Sequence, residues 1–142
     1  MWGDILGLDS ICSVCEYQEP LPLNDIAKKL DAEVVYGRTD ITIWGYTLID
    51  SLKAIVEMLP DQFQKIYGRS TARALIFTGV HTGRSSMVAV RVSNLKPGAV
   101  VLQGMEPVDV DPIAVRIAEV ENIPLLTTHF SVDEITSALS KG

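Results

Sequence analysis

The sequence has no apolar run approaching the ~20 residues that cross a bilayer, so no membrane span is expected. The first residues, Met1-Trp2-Gly3-Asp4, lack the positive charge and long apolar core of a signal peptide. Cysteine is scarce, with two residues among 142, so a disulfide framework is excluded as the basis of the fold. Basic residues are outnumbered 18 to 12 by acidic ones. A surface of net charge −6 repels a phosphate backbone, and nucleic acid is not an expected partner. These absences point to a cytoplasmic chain with reduced thiols. Histidine is also rare, at two residues, which gives catalysis little to work with.

What is present is globular in kind. Apolar residues make up 47% and charged residues 21%. A chain of this length fits one domain, since domains most often run ~100–150 residues. Residues 1–22 read as an apolar and acidic arm, carrying Trp2, Ile5, Leu6, Leu8 and Ile11 with Asp4, Asp9, Glu16 and Glu19. Such an arm is expected to dock on its own core or on a twin subunit. Residues 23–142 read as the α/β domain.

In that domain Asn24 is placed as the N-cap of a short helix over 25–30. Ala32-Glu33-Val34-Val35-Tyr36 reads as a strand. The alternating Ile41-Thr42-Ile43-Trp44-Gly45-Tyr46 reads as its hairpin partner across Gly37-Arg38-Thr39-Asp40. Leu48, Ile49, Leu52, Ile55, Val56 and Leu59 recur at helical spacing, with Thr47 as cap and Pro60 as limit. Phe63, Ile66 and Tyr67 suggest a further helical turn.

Ala74-Leu75-Ile76-Phe77-Thr78 and Ala99-Val100-Val101-Leu102 are continuous apolar runs, the mark of strands buried on both faces. Residues 87–95 suit either a strand or a helix; helix is favoured because a parallel crossover needs one. Asp111-Pro112 starts a helix, Asn122 ends it, and Pro124-Leu125-Leu126 leads to Thr127-Thr128-His129. Ser131 and Glu134 form a capping box for a final helix. The expected fold is α/β: a single domain with a mostly parallel sheet of about five strands flanked by helices.

Open α/β sheets bind ligands in the loops outside the carboxyl ends of their strands, which makes residues 79–86, 104–109 and 127–131 the candidate loops. The loop after residue 78 is small, polar and glycine-bearing. Thr78, Gly79, His81, Thr82, Gly83, Arg84 and Ser85, with Thr128 and His129 after the last strand, form the candidate ligand site. Backbone N–H groups and hydroxyls would donate to a small anion and Arg84 would supply charge. The plainer alternative is an ordinary βα connection whose serines cap the helix. His81 and His129 could act as acid and base near neutral pH, or be surface histidines.

Cys12 and Cys15 form a single CxxC. It lacks the two further ligands of a zinc site, so only a dimer could complete one. Free thiols are the expected state, and no cofactor is expected. Glu106, Asp109 and Asp111 could hold a cation but fit helix capping better. Trp44 fits core or interface packing.

Taken together, several segments resemble the DRTGG domain family and the N-terminal domain of HPr kinase/phosphorylases. They are Asp25-Ile26-Ala27-Lys28-Lys29-Leu30-Asp31-Ala32-Glu33-Val34-Val35-Tyr36-Gly37, Gly45-Tyr46 leading into residues 51–59, residues 99–104 with Glu106-Pro107, and Ala118-Glu119 followed by Asn122-Ile123-Pro124-Leu125-Leu126-Thr127-Thr128. The resemblance covers residues 24–139. It implies an α/β domain similar to the N-terminal domain of Mur ligases, often part of regulatory proteins, with dimerisation as a family expectation. The namesake Asp-Arg-Thr-Gly-Gly is absent, and His81-Thr82-Gly83-Arg84 is its nearest counterpart. The phosphate-binding motif of the kinase is absent too.

The leading expectation is a non-enzymatic regulatory module that binds a small anionic metabolite or nucleotide and forms a homodimer. The second is an interaction subunit docking an enzyme or a second copy through the arm. The third is an enzyme using His81 and His129.

Overall fold

The structure is a computed structural model that describes residues 11–50, 71–80, 82–92 and 96–140. In chain order the elements are β1 (Ile11–Pro22), α1 (Leu23–Lys29), β2 (Glu33–Tyr36), β3 (Thr42–Asp50), β4 (Ala74–Thr78), α2 (Arg84–Val92) and β5 (Ala99–Gln103). A 3-10 turn at Pro107–Asp109 follows, then α3 (Pro112–Glu121), β6 (Leu125–Thr128) and α4 (Val132–Ser140).

One six-stranded sheet runs in the order β1-β3-β4-β5-β6-β2. The four inner strands are parallel, and each edge strand is antiparallel to its neighbour. The α/β expectation holds, with one strand more than the expected five or so.

The apolar runs of β4 and β5 are central because both their faces must be covered. Leu75, Phe77, Val100, Leu102 and Leu125 point to one face, under Met87 and Val90 of α2 and Ala114, Ile117 and Ala118 of α3. Ala74, Ile76, Ala99, Val101 and Leu126 point to the other, against Leu23, Ile26 and Leu30 of the α1 segment and Ile135 and Leu139 of α4. Each fully buried Leu, Ile or Phe contributes roughly 1.5–3 kcal/mol by leaving water. No described helix is long and apolar enough to cross a membrane.

Several local expectations are corrected. The β2–β3 hairpin does not form: β2 pairs with β6 and β3 with β1, at opposite ends of the sheet. Thr47, Leu48 and Ile49 do not cap and open a helix; they extend β3, in register with Leu75, Ile76 and Phe77. The rest of that expected helix lies outside the described residues, as do Phe63, Ile66 and Tyr67.

Asn24 is inside α1 and not at its cap. The helix begins without a side-chain cap because the N–H groups of Leu23 and Asn24 bond the carbonyls of Ile41 at 2.8 Å and Thr39 at 2.9 Å. The stretch 87–92 is helical. From Ile11 onward, the stretch set apart as an arm is the edge strand β1. Trp44 is 42% exposed, so it is not a core residue.

Candidate ligand rim

The parallel block aligns the carboxyl ends of β4, β5 and β6 on one rim. Thr78 ends β4 and Thr128 ends β6, with β5 between them. At ~4.8 Å per strand, the two halves of the expected site are about 10 Å apart.

The side chains divide into those engaged internally and those facing outward. Thr78 is buried and its hydroxyl donates to the Ile49 carbonyl at 3.3 Å. Thr128 is buried too; its hydroxyl donates to the Leu30 carbonyl at 2.7 Å and accepts from the Phe130 N–H at 3.2 Å. Both hydroxyls therefore hold the rim together. Thr82, Arg84 and Ser85 are exposed. The Thr82 hydroxyl accepts from the Arg84 N–H at 3.4 Å, and its carbonyl accepts from the Asp111 N–H at 2.9 Å. His129 lies over the edge of Phe130, with ring centroids 5.6 Å apart, and faces Asp31 at 3.8 Å. His81 lies outside the described residues.

The loop after β5, one of the three strand-end loops expected to face a ligand, adds residues that the candidate set did not name. Gly104 has φ +85° and its N–H donates to the Thr128 carbonyl at 2.7 Å. The Gln103 amide donates to the Phe130 carbonyl at 2.9 Å. Gly79 has φ +67°, and at both Gly79 and Gly104 a Cβ would meet nothing within 4 Å. These two loops leave β4 and β5 in left-handed conformations under open space.

The nearby acids are occupied by backbone. Asp109 accepts from the Glu106 N–H at 3.2 Å, and Asp111 accepts from the Ile113 N–H at 2.7 Å as the cap of α3. Among the described residues no group of three metal-ligating side chains assembles. Cys15 is a free, partly exposed thiol on β1. The side chain of Cys12 lies outside the described residues.

A solved structure is similar in fold: the CBS and DRTGG domains of the regulatory region of a Clostridium perfringens pyrophosphatase, complexed with its activator diadenosine tetraphosphate. The likeness has a TM-score of 0.56 at 14% sequence identity and covers 82% of this chain and 45% of that one. The fold is DRTGG-like.

No family model matches the chain. An uncharacterised HTH-type transcriptional regulator of Methanocaldococcus jannaschii is similar to this DRTGG-like domain, 47% identical over 135 residues. A second uncharacterised regulator of that type, from Archaeoglobus fulgidus, is 43% identical over 132 residues. The matches take in 94% and 93% of this chain but 56% and 57% of the relatives. The chain thus spans about half the length of the curated relatives it matches.

Proposed function

We propose that the chain is a non-enzymatic, ligand-sensing regulatory domain that binds a small anionic metabolite or nucleotide on the rim of β4, β5 and β6. The observation that carries this reading is the pairing of Gly79 and Gly104. Both have positive φ and open space where a side chain would stand, one strand apart at the carboxyl end of a parallel sheet. Backbone can approach a ligand closely there. The exposed Arg84, in the first turn of α2, would pair with the anion.

The relatives' names add a process. A sensing domain of a transcriptional regulator needs no basic surface of its own, and a net charge of −6 agrees with DNA contact being made elsewhere. A homodimer is part of the same proposal; light scattering across a concentration series tests it.

Thermal unfolding with a panel of mononucleotides, dinucleoside polyphosphates and sugar phosphates tests the ligand. A true ligand near 100 Kd stabilises by about 2.7 kcal/mol, and Arg84→Ala removes that gain without lowering the unliganded Tm. A flat response across the panel overturns the reading.

A further inference from the structure

The outer faces of α2 and α3 carry apolar residues interleaved with arginine. On α2, Val88 and Val92 are 41% and 58% exposed, with the exposed Arg91 between them. On α3, Ile113 and Val120 are 43% and 60% exposed, with the exposed Arg116 between them. Positions four and seven apart share a helix face. The two helices pack on each other on the same side of the sheet. The core there is filled by Met87, Val90, Ala114, Ile117 and Ala118, so among the described residues the outer stripe serves no inward packing. Exposed helix positions ordinarily take polar or long-chain residues, and valine is a weaker helix former than these. By contrast the outer face of α4 carries Asp133, Glu134 and Thr136 with a single exposed apolar residue, Val132.

We propose that residues 1–10 of the same chain cover this stripe. That segment has Trp2, Ile5, Leu6 and Leu8 to bury, and two acidic residues, Asp4 and Asp9, with no Lys or Arg. Its charge complements Arg91 and Arg116. The geometry permits docking in cis. Ile11 pairs with Ile49 near the carboxyl end of β3, so the segment leaves from the rim beside which α2 begins. The strand feeding α2 is β4, only two strands from β1, or about 10 Å at ~4.8 Å per strand. Ten extended residues reach up to ~33 Å, and the whole of α2 is about 14 Å long at ~1.5 Å per residue.

The full chain carrying Trp44→Phe leaves Trp2 as the sole tryptophan reporter. Docking predicts blue-shifted Trp2 emission and acrylamide quenching several-fold weaker than for free tryptophan, at every protein concentration. Adding Val92→Glu and Val120→Glu restores a red-shifted, readily quenched Trp2 while circular dichroism stays unchanged. Arg91→Glu with Arg116→Glu, which leaves the apolar residues in place, shifts emission the same way. A red-shifted, freely quenched Trp2 in the parent overturns the proposal. So does a blue shift that survives both variants, or one that develops only as concentration rises, which would assign the stripe to a second copy.

Discussion

Arg73 is completely buried, and its guanidinium bonds the carboxylate of Glu16. The same guanidinium donates to the carbonyls of Cys15 at 3.3 Å and Tyr46 at 3.2 Å and to the Thr47 hydroxyl at 3.2 Å. Its backbone carbonyl accepts from the N–H groups of Gly98 at 2.9 Å and Ala99 at 3.2 Å. One residue ahead of β4 therefore fastens β1 and β3 through its side chain and β5 through its backbone. A charge taken this far from water needs such partners, because burying it unpaired costs several kcal/mol.

Glu16→Gln keeps the shape and removes the charge. The Glu16 side chain is 30% exposed, so water shares in its solvation and the full penalty of a broken buried pair does not apply. A loss of about 1–3 kcal/mol is expected, the range for a charged hydrogen bond left incomplete. Urea unfolding should show a lower midpoint at unchanged m-value, and the β1 amides should exchange faster than those of β4. An unchanged midpoint would show that the remaining acceptors satisfy Arg73 without the Glu16 charge.

Which parts of this fold were legible follows from the range of the signals. The strands β4, β5 and β6 and the helices α3 and α4 announce themselves locally, through apolar runs, the Asp111-Pro112 start and the Ser131/Glu134 box. The strand β1 exists because β3 pairs with it, and neither Pro20 nor Pro22 suggests a strand. The short link at Gly37 suggests a hairpin, but β6, far along the chain, takes β2 instead. Arg73 sits in a polar connection, where nothing in composition reveals burial. At the rim, loop positions were readable from strand ends. The engagement of Thr128 was not, since its acceptor Leu30 lies 98 residues away.

Gly83 and Gly79 separate backbone strain from close packing. Both have positive φ, +82° and +67°. A Cβ at Gly79 meets nothing within 4 Å, whereas at Gly83 it falls 2.5 Å from Cδ1 of Leu102. Gly79→Ala should cost about 1–2 kcal/mol, the left-handed penalty alone. Gly83→Ala should cost more, because Leu102 must shift within the core. Adding Leu102→Ala frees that space, so the double variant should be more stable than the sum of the single losses predicts. Strict additivity would show that the clash is relieved without Leu102.

Lys96 closes the end of α2. Its ammonium donates to the Val90 carbonyl at 2.9 Å and the Arg91 carbonyl at 2.6 Å, and it faces Glu121 of α3 at 3.4 Å. Carbonyls at a helix end carry the negative pole of the helix. Lys96→Met retains the stem and removes the charge, and should cost about 0.5–1.5 kcal/mol by chemical denaturation. Salt should weaken the wild-type protein more than the variant, since only the former has this charge to screen.

The box at the start of α4 makes a prediction in pH. The Glu134 carboxylate accepts from the Ser131 N–H at 2.9 Å, and the Ser131 hydroxyl accepts from the Glu134 N–H at 3.2 Å. The backbone bond from Ser131, then the Ser131 side chain, holds the Glu134 carboxyl below its ordinary value, with a smaller contribution from His129. The folded state therefore binds this proton less tightly than the unfolded chain does. Its stabilising effect is fully present above the unfolded carboxyl value of ~4.3. It is lost as pH falls through the lower folded value. Glu134→Gln preserves a capping box but has no proton to bind. The stability difference between wild type and this variant should hold steady at neutral pH and shrink as pH falls through the acid range. Because Glu134 is fully exposed, the effect is small and needs thermal unfolding at closely spaced pH values. A difference that moves in favour of the wild type on acidification would place the proton in the folded state, and would rule out the box as its cause.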